Sequence, residues 1–242
     1  MAKFRLDQLL VQKHLVDTRS QAESWIKLGK VLVGGKVYTK PGYFLPADAK
    51  VELKAEEKYV SRAGLKLAGV AQLFELDFKD KIVLDVGSST GGFTDYALQH
   101  GARKVIAVDV GTDQLHPSLH GNSKIELHEQ TDIRNMDMLS DKPDIVVIDV
   151  SFISLREILP HAAKLSGPGV QIVAMVKPQF EAGHNAKHKG VIKNDSMRRE
   201  ILKEFELWAK SLFVIADKRD SDVAGSKGNH ERFYLLQSLS SR

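Results

Sequence analysis

The 242-residue chain contains no cysteine, which excludes disulfide scaffolding, thiolate catalysis and cysteine-ligated zinc. It also lacks any apolar run long enough to span a bilayer as a helix. Its opening residues, MAKFRLDQLLVQKHL, are charged too often for the core of a signal peptide, so the expected location is the cytoplasm. Neither sign of charge dominates. With a formal net charge of +4, a nucleic-acid partner is permitted but not demanded, and what matters is where the basic residues lie. What is present, 43% hydrophobic and 27% charged residues, suits a soluble globular protein with room for one large domain, or for a large one and a small one.

The pattern divides the chain near AEEKYVSRAG, giving expected domains at 1–58 and 59–242. In the first, RLDQLLVQKHL spaces Leu6, Leu9, Leu10 and Leu15 at nearly helical intervals. Thr18 and Gln21 form a capping-box pattern for a second helix through Ala22, Trp25 and Ile26, which Gly29 is placed to end. Val31-Leu32-Val33 and Lys36-Val37-Tyr38 read as strands joined at Gly34-Gly35, since paired glycines accept the positive φ of a tight turn. Arg5, Lys13, Arg19, Lys27, Lys30 and Lys36 decorate this unit. Such charges would ordinarily be a solvated surface. The stretch TRSQAESWIKLGKVLVGGKVYTKPGYFLPADAKVEL, however, resembles the RNA-binding domain first seen in the fourth small-subunit ribosomal protein. The resemblance implies a small α+β domain whose basic side chains, with Arg5, Arg19, Lys27, Lys30 and Lys36 as candidates, position RNA phosphates more than they read bases.

From residue 81 onward the rhythm is that of a doubly wound α/β domain. Strands are expected at residues 81–85, 105–109, 125–128, 145–149, 171–176, 212–216 and 232–237, with helical stretches in most gaps, including 196–211. Continuous apolar runs such as IVVID and QIVAMV suit central strands buried on both faces, and ligands of such folds bind at the carboxyl ends of the strands. At one such end stands DVGSSTGGFTD, whose Gly87, Gly91 and Gly92 can bring backbone N–H groups to a ligand ahead of a helix N-terminus. Asp109 closes the next strand, placed to accept hydrogen bonds from two ribose hydroxyls. That layout suits a dinucleotide or S-adenosylmethionine. The dinucleotide fingerprint G-x-G-x-x-G fails, because Ser89 stands two residues after Gly87. The pattern instead resembles the first motif of class I methyltransferases, a Rossmann-like fold with a mostly parallel seven-stranded sheet and helices on both faces. The resemblance implies S-adenosylmethionine as cofactor, with Asp85 facing its methionine portion and Gly87, Ser89, Gly91, Gly92 and Phe93 along the loop. Asp132 and Ile133 would flank the adenine, although an aspartate after a strand is also common turn chemistry.

Four ionisable residues fall where this fold would gather them at one mouth: Lys66 in SRAGLKL, Asp149 ending IVVID, Lys177 ending IVAMVKP, and Glu231 opening HERFYLL. Each alone reads as a surface charge or a cap. In this order, and with DVSF and VKPQFE around them, they resemble the Lys-Asp-Lys-Glu set of the FtsJ-like RNA 2′-O-methyltransferases. The chemistry explains such a set, because a ribose hydroxyl is a poor nucleophile that must be aligned with the methyl and given a route for its proton. A lysine accepts that proton only as the free amine, a form favoured by desolvation and a second cation. Lys177 is the candidate base, Lys66 its orienting cation, Asp149 the holder of the Lys177 amine, and Glu231 the partner of Lys66 or of the ribose. Asp149 favours the ammonium, so the form in which Lys177 meets substrate stays open. No metal is required. His184 and His188 in EAGHNAKHKG have a ligand-like spacing but only Glu181 nearby, and read as a polar loop touching RNA.

An RNA-binding domain followed by an FtsJ-like domain resembles the TlyA family over essentially the whole chain. This implies 2′-O-methylation of cytidine in ribosomal RNA, with ribosomal RNA or ribosomal subunits rather than DNA or a membrane as partners. Members have also been labelled hemolysins, but a pore-former should offer a spanning helix, alternating barrel segments or a strongly amphipathic basic helix. A non-catalytic assembly factor should lack one of the four catalytic positions, and all four are present.

Overall fold

The computed structural model describes residues 3–16, 19–27, 29–54, 58–182, 191–192, 194–223, 225 and 228–238. They form two compact units, Met1–Arg62 and Ala63–Arg242.

The first unit runs β1 (Lys3–Arg5), α1 (Leu6–Gln12), α2 (Arg19–Lys27), β2 (Val31–Val33), β3 (Lys36–Tyr38), β4 (Phe44–Pro46) and β5 (Val51–Leu53). Leu6, Leu9 and Leu10 of α1 and Ala22, Trp25 and Ile26 of α2 are buried, as the helical spacing anticipates. α1 ends sooner than the leucine pattern suggests, since His14 takes φ 56° and turns the chain before Leu15. Thr18 lies outside the described residues. Gly29, at φ 70°, follows the end of α2 and bonds back to Ile26. β2 and β3 pair antiparallel with Val33 opposite Lys36, and both turn glycines have positive φ. Pairing extends beyond that hairpin. β5 joins the other edge of β2, and β1 pairs with β4. These strands are three residues each, too short to show a period.

α3 (Arg62–Ala71) begins at the boundary, and the second unit carries one seven-stranded sheet. Its elements are β6 (Ile82–Val86), α4 (Gly92–Gln99), β7 (Lys104–Val108), β8 (Ile125–His128), β9 (Ile145–Ile148), α5 (Leu155–Ser166), β10 (Gln171–Val176), α6 (Pro178–Glu181), α7 (Asp195–Ala209), β11 (Phe213–Asp220) and β12 (Arg232–Ser238). The strand order is β11-β12-β10-β9-β6-β7-β8, with β12 antiparallel to both neighbours. Leu84, Val86, Val146, Ile148, Ile172 and Ala174 alternate onto one face and pack with Leu155, Ile158 and Leu159 of α5 and Leu202 and Phe205 of α7. α4 covers the other face, where Phe93 stands 6.3 Å from Phe233. β11 runs four residues past its expected end, with a bulge between Ile215 and Asp217. As an edge strand it can carry the charged run DKRD, which sequence patterning reads as loop.

Chain order reverses between β6 and β9. Strands after β6 build outward through β7 and β8, while β9 starts the other half, and such a switch point opens a crevice at the strands' carboxyl ends.

Candidate active site

At that crevice Gly87, with φ 81°, lets the chain leaving β6 run against the end of β9. A Cβ there would come 2.8 Å from the Asp149 carbonyl oxygen, so no side chain fits. A cavity of about 360 Å³ opens beside it, lined by Gly87, Ser89, Asp109, Asp132, Ile133, Asp149, Ser151 and Phe152 among others. A second cavity of about 150 Å³ shares Gly87, Ser89, Asp149 and Ser151 and reaches Asp85, Ser88, Phe93 and Lys177.

Asp85 lies within β6 and is fully buried. Its Oδ2 accepts a 2.6 Å hydrogen bond from Thr94 Oγ1, while Oδ1 has no partner among the described residues. Burial, against the Thr94 hydrogen bond and with the nearby Asp149 and Asp109 charges, pushes its carboxyl up to about 7. Asp109 braces the loop. Its Oδ2 accepts from Ser89 N at 2.8 Å and its Oδ1 from Gly111 N at 2.7 Å, leaving each oxygen further lone-pair capacity toward the cavity. Asp132 is more fully engaged, as it caps a short turn at Arg134 N and takes the Arg134 guanidinium, with a 2.6 Å contact to Nη2. These bonds hold its carboxyl below the ordinary range. Turn chemistry thus accounts for Asp132, and Ile133 presents its side chain to the same cavity.

Gly91 departs from expectation. It borders neither cavity. Its φ of 86° starts α4, and a Cβ would fall 2.5 Å from Leu119 Cδ1 and 2.7 Å from Leu115 Cδ1. Packing by those leucines, not approach of a ligand, explains the glycine. Gly92 follows as the first, buried residue of α4.

The sheet register gathers the four ionisable residues. Val176 pairs with Arg232, so Lys177 and Glu231 extend that antiparallel register at adjacent strand ends. Asp149 follows Ile148, which pairs with Ala174 of β10 and Val86 of β6. Lys66 Nζ donates to Glu231 Oε2 at 2.5 Å, with both side chains buried. Lys177 Nζ lies 2.6 Å from Asp149 Oδ1, an ion-pair separation without hydrogen-bond alignment, and donates an aligned 2.8 Å bond to Ser151 Oγ. Each lysine therefore carries its own carboxylate, and Lys66 is half of a neutral pair instead of a bare cation.

Residues 59–238 match the FtsJ-like methyltransferase model. The chain belongs to the FtsJ-like methyltransferase family. Residues 4–51 match the S4 domain, the arrangement of the TlyA proteins. The 23S rRNA (cytidine-2'-O)-methyltransferase TlyA of Campylobacter jejuni is 37% identical over 93% of this chain and 96% of its own. Hemolysin A of Brachyspira hyodysenteriae is 36% identical over 94% and 97%. A solved structure from Streptococcus thermophilus, also titled a hemolysin, superposes with a TM-score of 0.75 at 39% identity, over all of this chain and 90% of the other.

The cofactor of this FtsJ-like domain is S-adenosylmethionine, and the residues present fit it. The unpartnered, buried Asp85 Oδ1 and Ser88 Oγ border the smaller cavity and suit a charged amino-acid end. The free capacity of Asp109 suits ribose hydroxyls, and Ile133 and Ile158 give the larger cavity an apolar wall. Among the described residues no group of three or more His, Asp or Glu is placed to hold a metal ion, and His184 and His188 lie outside them.

In the S4 unit the two candidate arginines share one carboxylate. Fully buried Asp7 accepts from Arg5 Nε at 3.0 Å, Arg5 Nη2 at 2.7 Å and Arg19 Nε at 3.0 Å. Burial raises the Asp7 carboxyl, but the two guanidinium groups outweigh it and hold it below its ordinary value. Lys27, Lys30 and Lys36 stand exposed.

Sequence reasoning assigned no role to Asp7, Ser151 or Phe152, and weighed Glu181 only as the lone carboxylate near His184 and His188. Phe152 is 90% exposed with φ 66°, its ring 5.2 Å from that of Phe180. Glu181 accepts from Ser154 Oγ at 2.6 Å and Leu155 N at 2.7 Å, and so caps α5; burial pushes its carboxyl up. A bulky aromatic in DVSF just after a strand was the available signal for Phe152. Nothing local marks the others.

Proposed function

We propose that this chain methylates the 2′-hydroxyl of a ribose, that of a cytidine, in ribosomal RNA, working in the cytoplasm with the S4 unit supplying RNA affinity. The observation that carries the reading is the pair of lysine–carboxylate contacts at strand ends beside a cavity that fits the cofactor. The names of the TlyA relatives support the substrate class. The functional division is placed at residues 1–58 and 59–242. No helix among the described residues is long and apolar enough to cross a membrane, and nothing favours a membrane-active reading over this one.

When bound, S-adenosylmethionine supplies an electrophilic methyl on a sulfonium centre. Lys177, as the free amine, accepts the proton of the ribose hydroxyl as that oxygen becomes the nucleophile. Asp149 holds the resulting ammonium by charge at 2.6 Å. Lys66, fixed by Glu231, donates to the ribose and orients it. Phe152 offers an exposed ring at the cavity mouth on which an unpaired base can stack, since a base must leave its helix for its ribose to enter a crevice. Arg5, Arg19, Lys27, Lys30 and Lys36 contact phosphates.

The test is Lys177→Arg beside Lys177→Ala, assayed with labelled S-adenosylmethionine on ribosomal subunits. Loss of a general base costs about 100- to 10,000-fold, and arginine keeps the charge without releasing a proton. Both variants are expected to lose turnover while binding cofactor and RNA as the wild type does. Near-native turnover with arginine would overturn Lys177 as the base.

A further inference from the structure

We propose that Ser151 is the positioning residue that aims the Lys177 amine at the ribose hydroxyl. The inference rests on reading Lys177 as the base. Of the two groups around Nζ, Asp149 sits at 2.6 Å without hydrogen-bond alignment, whereas Ser151 Oγ accepts an aligned 2.8 Å bond. A carboxylate at that angle attracts the amine but does not set its direction, because Coulomb attraction depends on distance while a hydrogen bond also requires an angle. A free lysine amine has two N–H groups and one lone pair in tetrahedral array. With one N–H held by Ser151 Oγ, the tetrahedral array fixes the directions of the second N–H and of the lone pair, which is the member that accepts the substrate proton.

The surroundings hold Ser151 for that task. It borders both cavities, the smaller of which Lys177 also lines. Its neighbour Phe152 adopts a left-handed φ of 66°, a conformation a bulky residue keeps only where its surroundings impose it. Glu181, four residues beyond Lys177, bonds Ser154 Oγ and Leu155 N three and four residues beyond Ser151. The loop bearing the acceptor and the strand end bearing the donor are thereby stapled together, which fixes both ends of the Lys177–Ser151 bond. Among the described residues the Ser151 hydroxyl donates to nothing, so the bond it accepts from Lys177 is its one protein contact through that oxygen.

The experiment compares Ser151→Ala and Ser151→Thr with the wild type in full-length protein, measuring kcat and KM on ribosomal subunits, cofactor affinity by calorimetry, and melting temperature. Alanine is expected to lower kcat about 10- to 100-fold, the rate equivalent of one hydrogen bond to an amine that becomes charged in the transition state, with KM and cofactor affinity within about twofold. Threonine, which keeps the hydroxyl, is expected to restore most of the lost kcat. An alanine variant with native kcat, a loss confined to KM or cofactor affinity, or a threonine variant as slow as alanine would each overturn the inference. Failure of the underlying reading looks different, since then Lys177→Arg retains turnover whatever Ser151 does.

Discussion

Replacing Asp85 by asparagine tests the electrostatics of the crevice in the protein without cofactor. The native carboxyl is held up to about 7 from an ordinary 3.8, whereas the unfolded chain releases that proton near the ordinary value. Between those values the native state binds more protons than the unfolded one, so the Asp85 contribution to stability is full below about pH 4 and is lost as pH rises to about 7. The gap is roughly three pH units at about 1.36 kcal/mol each, or about 4 kcal/mol, of which about 3 falls between pH 5 and 8. Asparagine cannot ionise, so its stability lacks this slope. It can still accept from Thr94 Oγ1, while its NH₂ group meets the orphan position of Oδ1; that adds an offset without pH dependence, and the slope remains diagnostic. Urea unfolding can be followed by Trp208, which packs against the sheet core, in a Trp25→Phe background that silences the other unit. Wild-type stability minus that of Asp85→Asn should fall by about 3 kcal/mol from pH 5 to 8. A flat difference would refute the buried, protonated carboxyl. Cofactor binding near pH 6 should also release a proton in the wild type and none in the variant, as calorimetry in buffers of different ionisation heat would reveal.

Three further substitutions separate positioning from binding. A Cβ at Gly225 would fall within 2.3 Å of Glu231 Oε1, so Gly225→Ala should displace that carboxylate from Lys66 and lower kcat by about tenfold or more with cofactor affinity unchanged; native kcat would show that the pair is not needed. Asp7→Ala leaves Arg5 and Arg19 without their shared acceptor, which should cost the S4 unit about 1–3 kcal/mol and weaken RNA binding, whereas an Arg5→Lys variant that binds RNA equally well would argue against a requirement for guanidinium geometry.

The composition and period of the sequence determined the class of fold and the chemistry available to it. Strands buried on both faces must be continuously apolar, so runs such as IVVID and QIVAMV announce a parallel sheet, and the residues ending those runs lie at the crevice because the fold leaves them there. The paired turn glycines and the lysine and carboxylate identities are local facts of the same kind. Partnership was not local. Lys66 and Glu231 stand 165 residues apart, and they meet because β12 enters antiparallel between β10 and β11, an insertion that leaves no mark on the period of any strand. The same holds for Arg19 reaching Asp7 across twelve residues and for the leucines that require Gly91. Ser151 is the sharpest case. It follows Asp149 by two residues and reads as loop, and only the parallel register of β9 and β10 sets its hydroxyl against the amine of Lys177. Burial follows from residue type and spacing along the chain, but which donor finds which acceptor depends on distances that tertiary packing alone decides.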